Sequence, residues 1–269
     1  MFVLYQLTFL GRAREVAVAK KRKRLDLTVA GIQRKFGIKA LRRLERADTQ
    51  TTIPHIPTGF TSLDQSLGIG GIPRGRITEL MGVPTSGMIT LTLKIIANAQ
   101  AEGDAATYID LSRTFDPDYA HRCGVDLATL LLVRPRTGRD ALHIALDLIA
   151  SRGTGILIFD SITEVMAERD NQRAITTALR QFPGALAKSP CAAVFLTLLD
   201  SADLSTDNGA LAHFATLRLL IEKERWITKH RDVRGYRAQV LVKKNKLGPA
   251  GQRATIAITF NGTVRGDST

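Results

Sequence analysis

A mostly parallel α/β sheet, covered by helices on both faces and extended by antiparallel strands near the C-terminus, is the fold class this sequence predicts. Three observations predict it. Short apolar runs such as Ile156-Leu-Ile-Phe-Asp160 and Ala192-Ala-Val-Phe-Leu-Thr-Leu198 lack the polar alternation of a half-exposed strand, as strands covered on both faces do. Stretches with helical apolar spacing separate these runs, which is the order of βαβ units. At 269 residues the chain is long enough to bury such a sheet.

Each element follows in order. The opening MFVLYQLTFL is short and has no basic region before it, so a secretory leader is not expected. Residues 1–24 read as a flexible basic extension. Leu27, Ile32, Phe36, Leu41 and Leu44 recur at near-helical spacing broken by Gly37, which predicts one or two short amphipathic helices. Pro54 and Pro57 among threonines mark an extended linker over 48–59. The division expected is therefore 1–24 extension, 25–55 arm and linker, and 56–269 core. Within the core, strands are predicted at 76–80, 105–110, 130–134, 155–160 and 192–198. Helices are predicted at 89–102, 116–122, 139–152 and 172–182, the last stopped by Pro183. Runs at 216–222, 238–243 and 255–260 follow one another with turn signals between them, which predicts the antiparallel extension.

Composition narrows the function classes. Hydrophobic residues at 44% and charged residues at 23% describe an ordinary globule, not a disordered chain. No apolar run approaches the roughly 20 residues of a membrane-spanning helix. Cys123 and Cys191 are too few for a disulfide framework or a four-cysteine zinc site. Both sit in apolar contexts and read as reduced packing residues of a cytoplasmic protein.

The 38 Lys+Arg against 25 Asp+Glu give a net charge of +13, and that charge is concentrated. Residues 1–48 hold 13 basic and 4 acidic side chains, and residues 218–246 hold 10 and 3. Two basic blocks on a nearly neutral body point to a polyanion partner. The run Lys20, Lys21, Arg22, Lys23 and Arg24 reads equally as a nucleic-acid contact or a solvated helix face. In the second block Arg225, Trp226, Lys229, His230, Arg231, Arg234, Tyr236 and Arg237 interleave cations with two aromatics over a predicted hairpin. That mixture suits phosphate contacts plus base stacking, so the partner expected is DNA, single-stranded by preference.

The predicted strand 76–80 runs into Gly82-Val-Pro-Thr-Ser-Gly87-Met88-Ile89-Thr90 and then a helix. Strand, glycine-bounded loop and helix aim backbone N–H groups and a helix dipole at a phosphate. A phosphate loop of this class continues with lysine and then serine or threonine. The first neutralises the terminal phosphates and the second holds Mg²⁺. Here those positions are Met88 and Ile89, which do neither.

The segments around the loop carry a resemblance. Ile56-Pro-Thr-Gly-Phe-Thr-Ser-Leu-Asp64, Leu67-Gly-Ile-Gly-Gly-Ile-Pro-Arg-Gly-Arg-Ile-Thr-Glu-Leu80, Phe115-Asp-Pro-Asp-Tyr119 and Val242-Lys-Lys-Asn-Lys-Leu247 closely resemble the RecA recombinase family, and residues 31–44 resemble its N-terminal helix and strand. The likeness runs from residue 20 to about 265. It implies a RecA-like P-loop fold with a short N-terminal helix-strand arm, without that family's separate C-terminal domain. It implies ATP or ADP with Mg as cofactor, weakly bound or absent. Gly82, Thr85, Ser86, Gly87 and Thr90 would form the cradle, Asp116 and Tyr119 would hold the adenine, and Asp160 would hold Mg²⁺ through water. Lys244 and Lys246 match lysines that reach a neighbouring subunit's nucleotide. Asp116 and Tyr119 read equally as a helix cap and a packing ring.

The chemistry positions depart from the family. Ser112 stands where the resemblance implies the glutamate that activates water, and Leu198 where it implies the glutamine that senses the γ-phosphate. Phosphoryl transfer is mostly positioning and electrostatics, so these losses together with Met88 and Ile89 predict no turnover. The family's two axial DNA loops correspond to 163–171 and 200–209, and both are acidic here. The expected protein is a RecA-like DNA-binding accessory of repair or recombination, without ATP hydrolysis. It would meet DNA through the basic blocks, and a RecA-type partner or itself through residues 25–47. Two alternatives stand beside it. One is an active DNA-dependent ATPase whose lysine comes from Lys94 or a neighbour's Lys244. The other is an ImuA-type interaction accessory of a mutagenic polymerase.

Overall fold

The computed structural model describes residues 2–38, 41, 53–167, 172–200, 209–230, 232–261 and 263–265. The chain divides into two compact units, 1–51 and 52–269.

In the first unit, α1 runs from Phe2 to Phe36 as a single helix. It is longer than the short helices the apolar spacing predicts and takes in the stretch expected to be a flexible extension. It stops where that spacing breaks: Gly37 adopts φ 89° and its N–H donates to Gln33 O at 2.8 Å, a glycine-terminated helix end. Most of the strand implied for 31–44, and residues 48–52 of the linker, lie outside the described residues.

The second unit is built on a nine-stranded sheet in the order β11-β10-β9-β8-β3-β7-β6-β4-β5. Its parallel strands are β3 (Ile77–Gly82), β4 (Ala106–Asp110), β5 (Leu130–Val133), β6 (Ile156–Asp160) and β7 (Ala192–Leu198), joined by the first part of β8 (Leu217–Lys229). β9 (Asp232–Asn245), β10 (Arg253–Asn261) and β11 (Thr263–Arg265) extend it antiparallel. This is the α/β architecture expected, with its antiparallel extension. A two-stranded ribbon of β1 (His55–Ile56) and β2 (Ile72–Pro73) brackets α2 (Thr61–Leu67). Thr58 N–H donates to Asp64 Oδ1 at 3.0 Å, which fixes the entry to α2.

Helices cover both faces, and strand alternation divides the core accordingly. Ile156 and Ile158 join one apolar cluster with α3 (Met88–Ala101). Leu157 and Phe159 join the other, with α5 (Gly138–Ser151), α6 (Ile162–Ala167), α7 (Gln172–Leu179), α8 (Phe182–Leu186) and α9 (Gly209–Phe214). The helix expected over 172–182 is thus two helices. Pro183 lies in the first turn of α8, where its missing N–H costs nothing.

A buried ion pair ties the middle of the sheet. Arg218 Nε donates to Glu79 Oε2 at 2.5 Å and Thr197 Oγ1 donates to Glu79 Oε1 at 2.8 Å. The three residues lie on β8, β3 and β7, and both charged side chains are buried.

β8 and β9 are about twice the predicted length. β3 ends at Gly82, opposite Ile221 of β8. Beyond that point β8 and β9 pair only with each other and with β10 and carry polar side chains, so the apolar signal fades although the strands continue. The result is a hairpin extending past the end of β3, the end from which the glycine-rich loop departs.

Candidate functional site

The loop runs from Gly82, the last residue of β3, to Gly87, which precedes α3. It is held by a turn in which Ser86 N–H donates to Val83 O at 3.1 Å. A Cβ at Gly82 would lie 2.5 Å from Ser86 Oγ and 2.9 Å from Ile221 O, so a side chain is barred. Gly87 has φ 102°, and a Cβ there would meet Tyr236 at 2.9 Å. The strand-to-helix passage over 76–90 is therefore the loop geometry expected.

What stands above the loop differs from a phosphate site. Met88, at the lysine position, is 3% exposed and joins the apolar cluster beneath α3, and Ile89 packs against the same cluster. Thr90 Oγ1 lies 2.6 Å from Tyr119 Oη and 3.0 Å from Tyr236 Oη. The Thr90 hydroxyl, on the first turn of α3, is thus engaged by two tyrosine hydroxyls. Burial pushes the Tyr236 phenol up to about 12 and raises Tyr119 above its usual value, so both rings are neutral near pH 7. The loop, Met88, Ile89, Thr90, Tyr119, Leu198, Trp226 and Tyr236 enclose a cleft of about 270 Å³. No charged side chain lines it among the described residues.

Two other cradle residues have definite placements. Thr85 takes φ 66°. Ser86 is buried in the loop wall and its Oγ has no hydrogen-bond partner.

Asp160 ends β6, two strands from β3, and does not line the cleft. Its Oδ2 accepts from Tyr108 Oη at 2.6 Å. Burial raises its pKa; hydrogen bonds from Tyr108 and Ser112 oppose the rise, and the charges of Asp110 and Glu164 add to it. Asp110, opposite it on β4, is fully buried and paired with Arg134 Nε at 2.9 Å. Ser112 Oγ shares a hydrogen bond with Thr114 Oγ1 at 2.7 Å. Among the described residues, no three His, Cys, Asp or Glu side chains are grouped to hold a metal ion. The donor set around the loop does not fit Mg-ATP. The lysine is absent, the first-turn hydroxyl is engaged by two tyrosines, and Asp160 sits outside the cleft.

Asp116 is exposed and its Oδ1 accepts from Tyr119 N–H at 3.0 Å, capping α4 (Pro117–Arg122). This geometry orients Tyr119 but turns a carboxylate oxygen to the helix. Lys244 and Lys246 lie toward the other end of the sheet. Lys244 pairs with Arg218 near the start of β8, and its Nζ donates to Ala212 O at 2.6 Å and His213 O at 3.3 Å. Lys246 borders a depression with Arg76, Pro183, His213 and Phe214. Neither reaches the loop of its own chain.

The basic residues fall on both units. Lys20, Lys21, Arg22, Lys23 and Arg24 are exposed on α1. Arg225, Lys229, Arg234 and Arg237 are exposed on β8 and β9, and Arg231 lies outside the described residues. Arg225 and Arg237 are directly opposed across the hairpin, and like charges so placed repel unless an anion joins them. Lys223 Nζ lies 4.3 Å above the Trp226 ring, which meets Tyr236 edge-to-face at 6.0 Å. Of the acidic stretches, α6 takes up Ile162–Ala167; 168–171 and 201–208 lie outside the described residues.

The sequence marks Tyr236 as a hairpin aromatic but does not show that it reaches the loop. The signal was available. Tyr236, Ala238, Val240 and Val242 alternate as the buried face of β9, and that face looks toward α3.

The family model for the RecA N-terminal domain matches residues 23–265. Similar proteins include Protein RecA of Herpetosiphon aurantiacus, 36% identical over 90% of this chain and 73% of the relative. Protein RecA of Chloroflexus aurantiacus is 36% identical over 90% and 75% of the two chains. Protein RecA of Rhodococcus opacus is 38% identical over 88% and 74%.

Proposed function

This chain belongs to the RecA family, and we propose that within it the protein is a DNA-binding accessory of recombination and repair that does not hydrolyse ATP. The observation that carries this reading is the occupation of the loop's mouth. Tyr119 and Tyr236 both hydrogen bond to Thr90 where the helix N-terminus would meet a phosphate, and Met88 packs into the apolar core. A phosphoryl-transfer site needs positive charge at that place to offset the triphosphate. The nearest substitute named above, Lys94, sits further along α3 and does not line the cleft.

DNA is met by the hairpin. The exposed cations Arg225, Lys229, Arg234 and Arg237, with the half-exposed Trp226, supply phosphate contacts and a stacking surface. The exposed run 20–24 on α1 adds a second basic element, and residues 25–47 are the proposed contact with a RecA-type partner or a second copy of the chain. The cellular compartment that follows is the cytoplasm.

Steady-state phosphate release, with and without single-stranded DNA, tests the catalytic half of the proposal. The expected rate is background under both conditions. A DNA-stimulated rate that disappears in Asp160→Ala would contradict it.

A further inference from the structure

The cleft between the loop and the hairpin remains once a nucleotide's phosphates are denied it, and four features describe what suits it. Its lining is aromatic and apolar: Tyr119, Tyr236, Trp226, Leu198, Met88 and Ile89. Its volume, about 270 Å³, falls below the roughly 300–1,000 Å³ of sites that enclose a drug-sized molecule. It suits one planar ring system better than a whole nucleotide. At its lip Trp226 is 52% exposed, although a tryptophan buries well wherever packing permits. In its wall Ser86 is 1% exposed with an unpartnered hydroxyl, a group that costs free energy until something hydrogen bonds to it.

Charge decides the occupant. Among the described residues no charged side chain lines the cleft, whereas the hairpin forming its upper wall carries Lys223, Arg225, Arg234 and Arg237 at its surface. No acid pairs with Arg225 or Arg237 among the described residues. Arg225 and Arg237 form a like-charge pair on the hairpin face opposite to Trp226 and Tyr236, while Lys223 lies over the Trp226 ring at the cleft's lip. A ligand that is planar and neutral at one end and anionic along its length satisfies both halves. We infer that the cleft receives an unpaired base extruded from single-stranded DNA, stacked on Trp226, while the hairpin cations hold the flanking phosphates. This rests on DNA binding by the hairpin and goes beyond it by assigning the former phosphate cleft to a base of the DNA.

The test uses the full chain and a thymidine oligonucleotide carrying one central 2-aminopurine. Binding should quench the probe, since stacking on indole or phenol quenches its fluorescence. Trp226→Ala should abolish the quench and weaken binding roughly five- to 150-fold, the range of one lost base–aromatic stack, with the salt slope unchanged. Trp226→Tyr, which keeps an aromatic quencher at the lip, should restore most of the quench. Leu198→Phe, which narrows the cleft without touching the hairpin, should also reduce the quench and guards against a folding effect of the tryptophan variants. Wild-type quenching and affinity in both Trp226→Ala and Leu198→Phe would overturn the inference. Equal quenching of free 2-aminopurine riboside would overturn it too, because the cleft would then be a nucleoside site. The parent reading fails separately: if Arg225→Ala/Arg237→Ala leaves DNA affinity and its salt slope unchanged, the hairpin is not the DNA surface.

Discussion

At the residue scale, the character of the site is decided by Tyr236. Thr90 is a hydroxyl well placed on the first turn of α3, and in this chain it is bound to two tyrosines. Restoring lysine and threonine to the loop is therefore not sufficient. Met88→Lys/Ile89→Thr is expected to bind ATP no better than wild type, and adding Tyr236→Ala is expected to give measurable affinity by calorimetry. The loss of a buried ring would cost about 3 kcal/mol of stability. Strong ATP binding by the double variant alone would contradict the obstruction. Met88 and Ile89 were legible in sequence because the loop spacing names their positions. The obstruction was not legible, because it joins residues 90 and 236, and no local pattern links them.

Asp160 carries a second prediction at this scale. Its raised pKa means that the native state holds the proton more tightly than the unfolded chain does. The wild type therefore loses stability as pH rises from about 3.8 through the higher native value. Above that value the full penalty is present. Asp160→Asn should raise Tm at pH 7, and the gain should shrink as pH falls below the native value. An equal gain at pH 3 and pH 7 would show that the carboxyl is not destabilised by burial.

At the scale of elements, the joint of β3, β7 and β8 positions both the loop and the hairpin. Glu79 receives Arg218 and Thr197 with all three side chains buried. Removing one member of a buried ion pair leaves the other uncompensated, a loss of about 3–5 kcal/mol. Glu79→Ala should lower stability by that amount in urea unfolding. A loss below about 1 kcal/mol would show that the pair does not hold the joint. Strand order and helix placement were largely legible, because apolar runs such as 156–160 and 192–198 are buried on both sides. The hairpin's length was not. Beyond β3 its strands lack a full set of sheet neighbours, and residues 223–229, although they read as part of a hairpin, carry no apolar run that marks how far the strand goes. The ion pair was likewise hidden, since Glu79 lies inside an apolar run and Arg218 begins another.

At the scale of the whole molecule, the net charge of +13 resolves into α1 and the β8–β9 hairpin. The hairpin lies beside a loop whose cleft is lined by no charged side chain among the described residues. In the function proposed, that arrangement separates DNA binding from nucleotide binding. In an ATP-gated machine the two are coupled, and each ligand must change the other's affinity by the same factor. Here a site that does not fit the nucleotide has nothing to transmit. The most direct measurement is a titration of single-stranded DNA across salt concentrations, with and without Mg-ATP. The account predicts one affinity and one salt slope in both conditions. A DNA affinity that rises severalfold with Mg-ATP would contradict it.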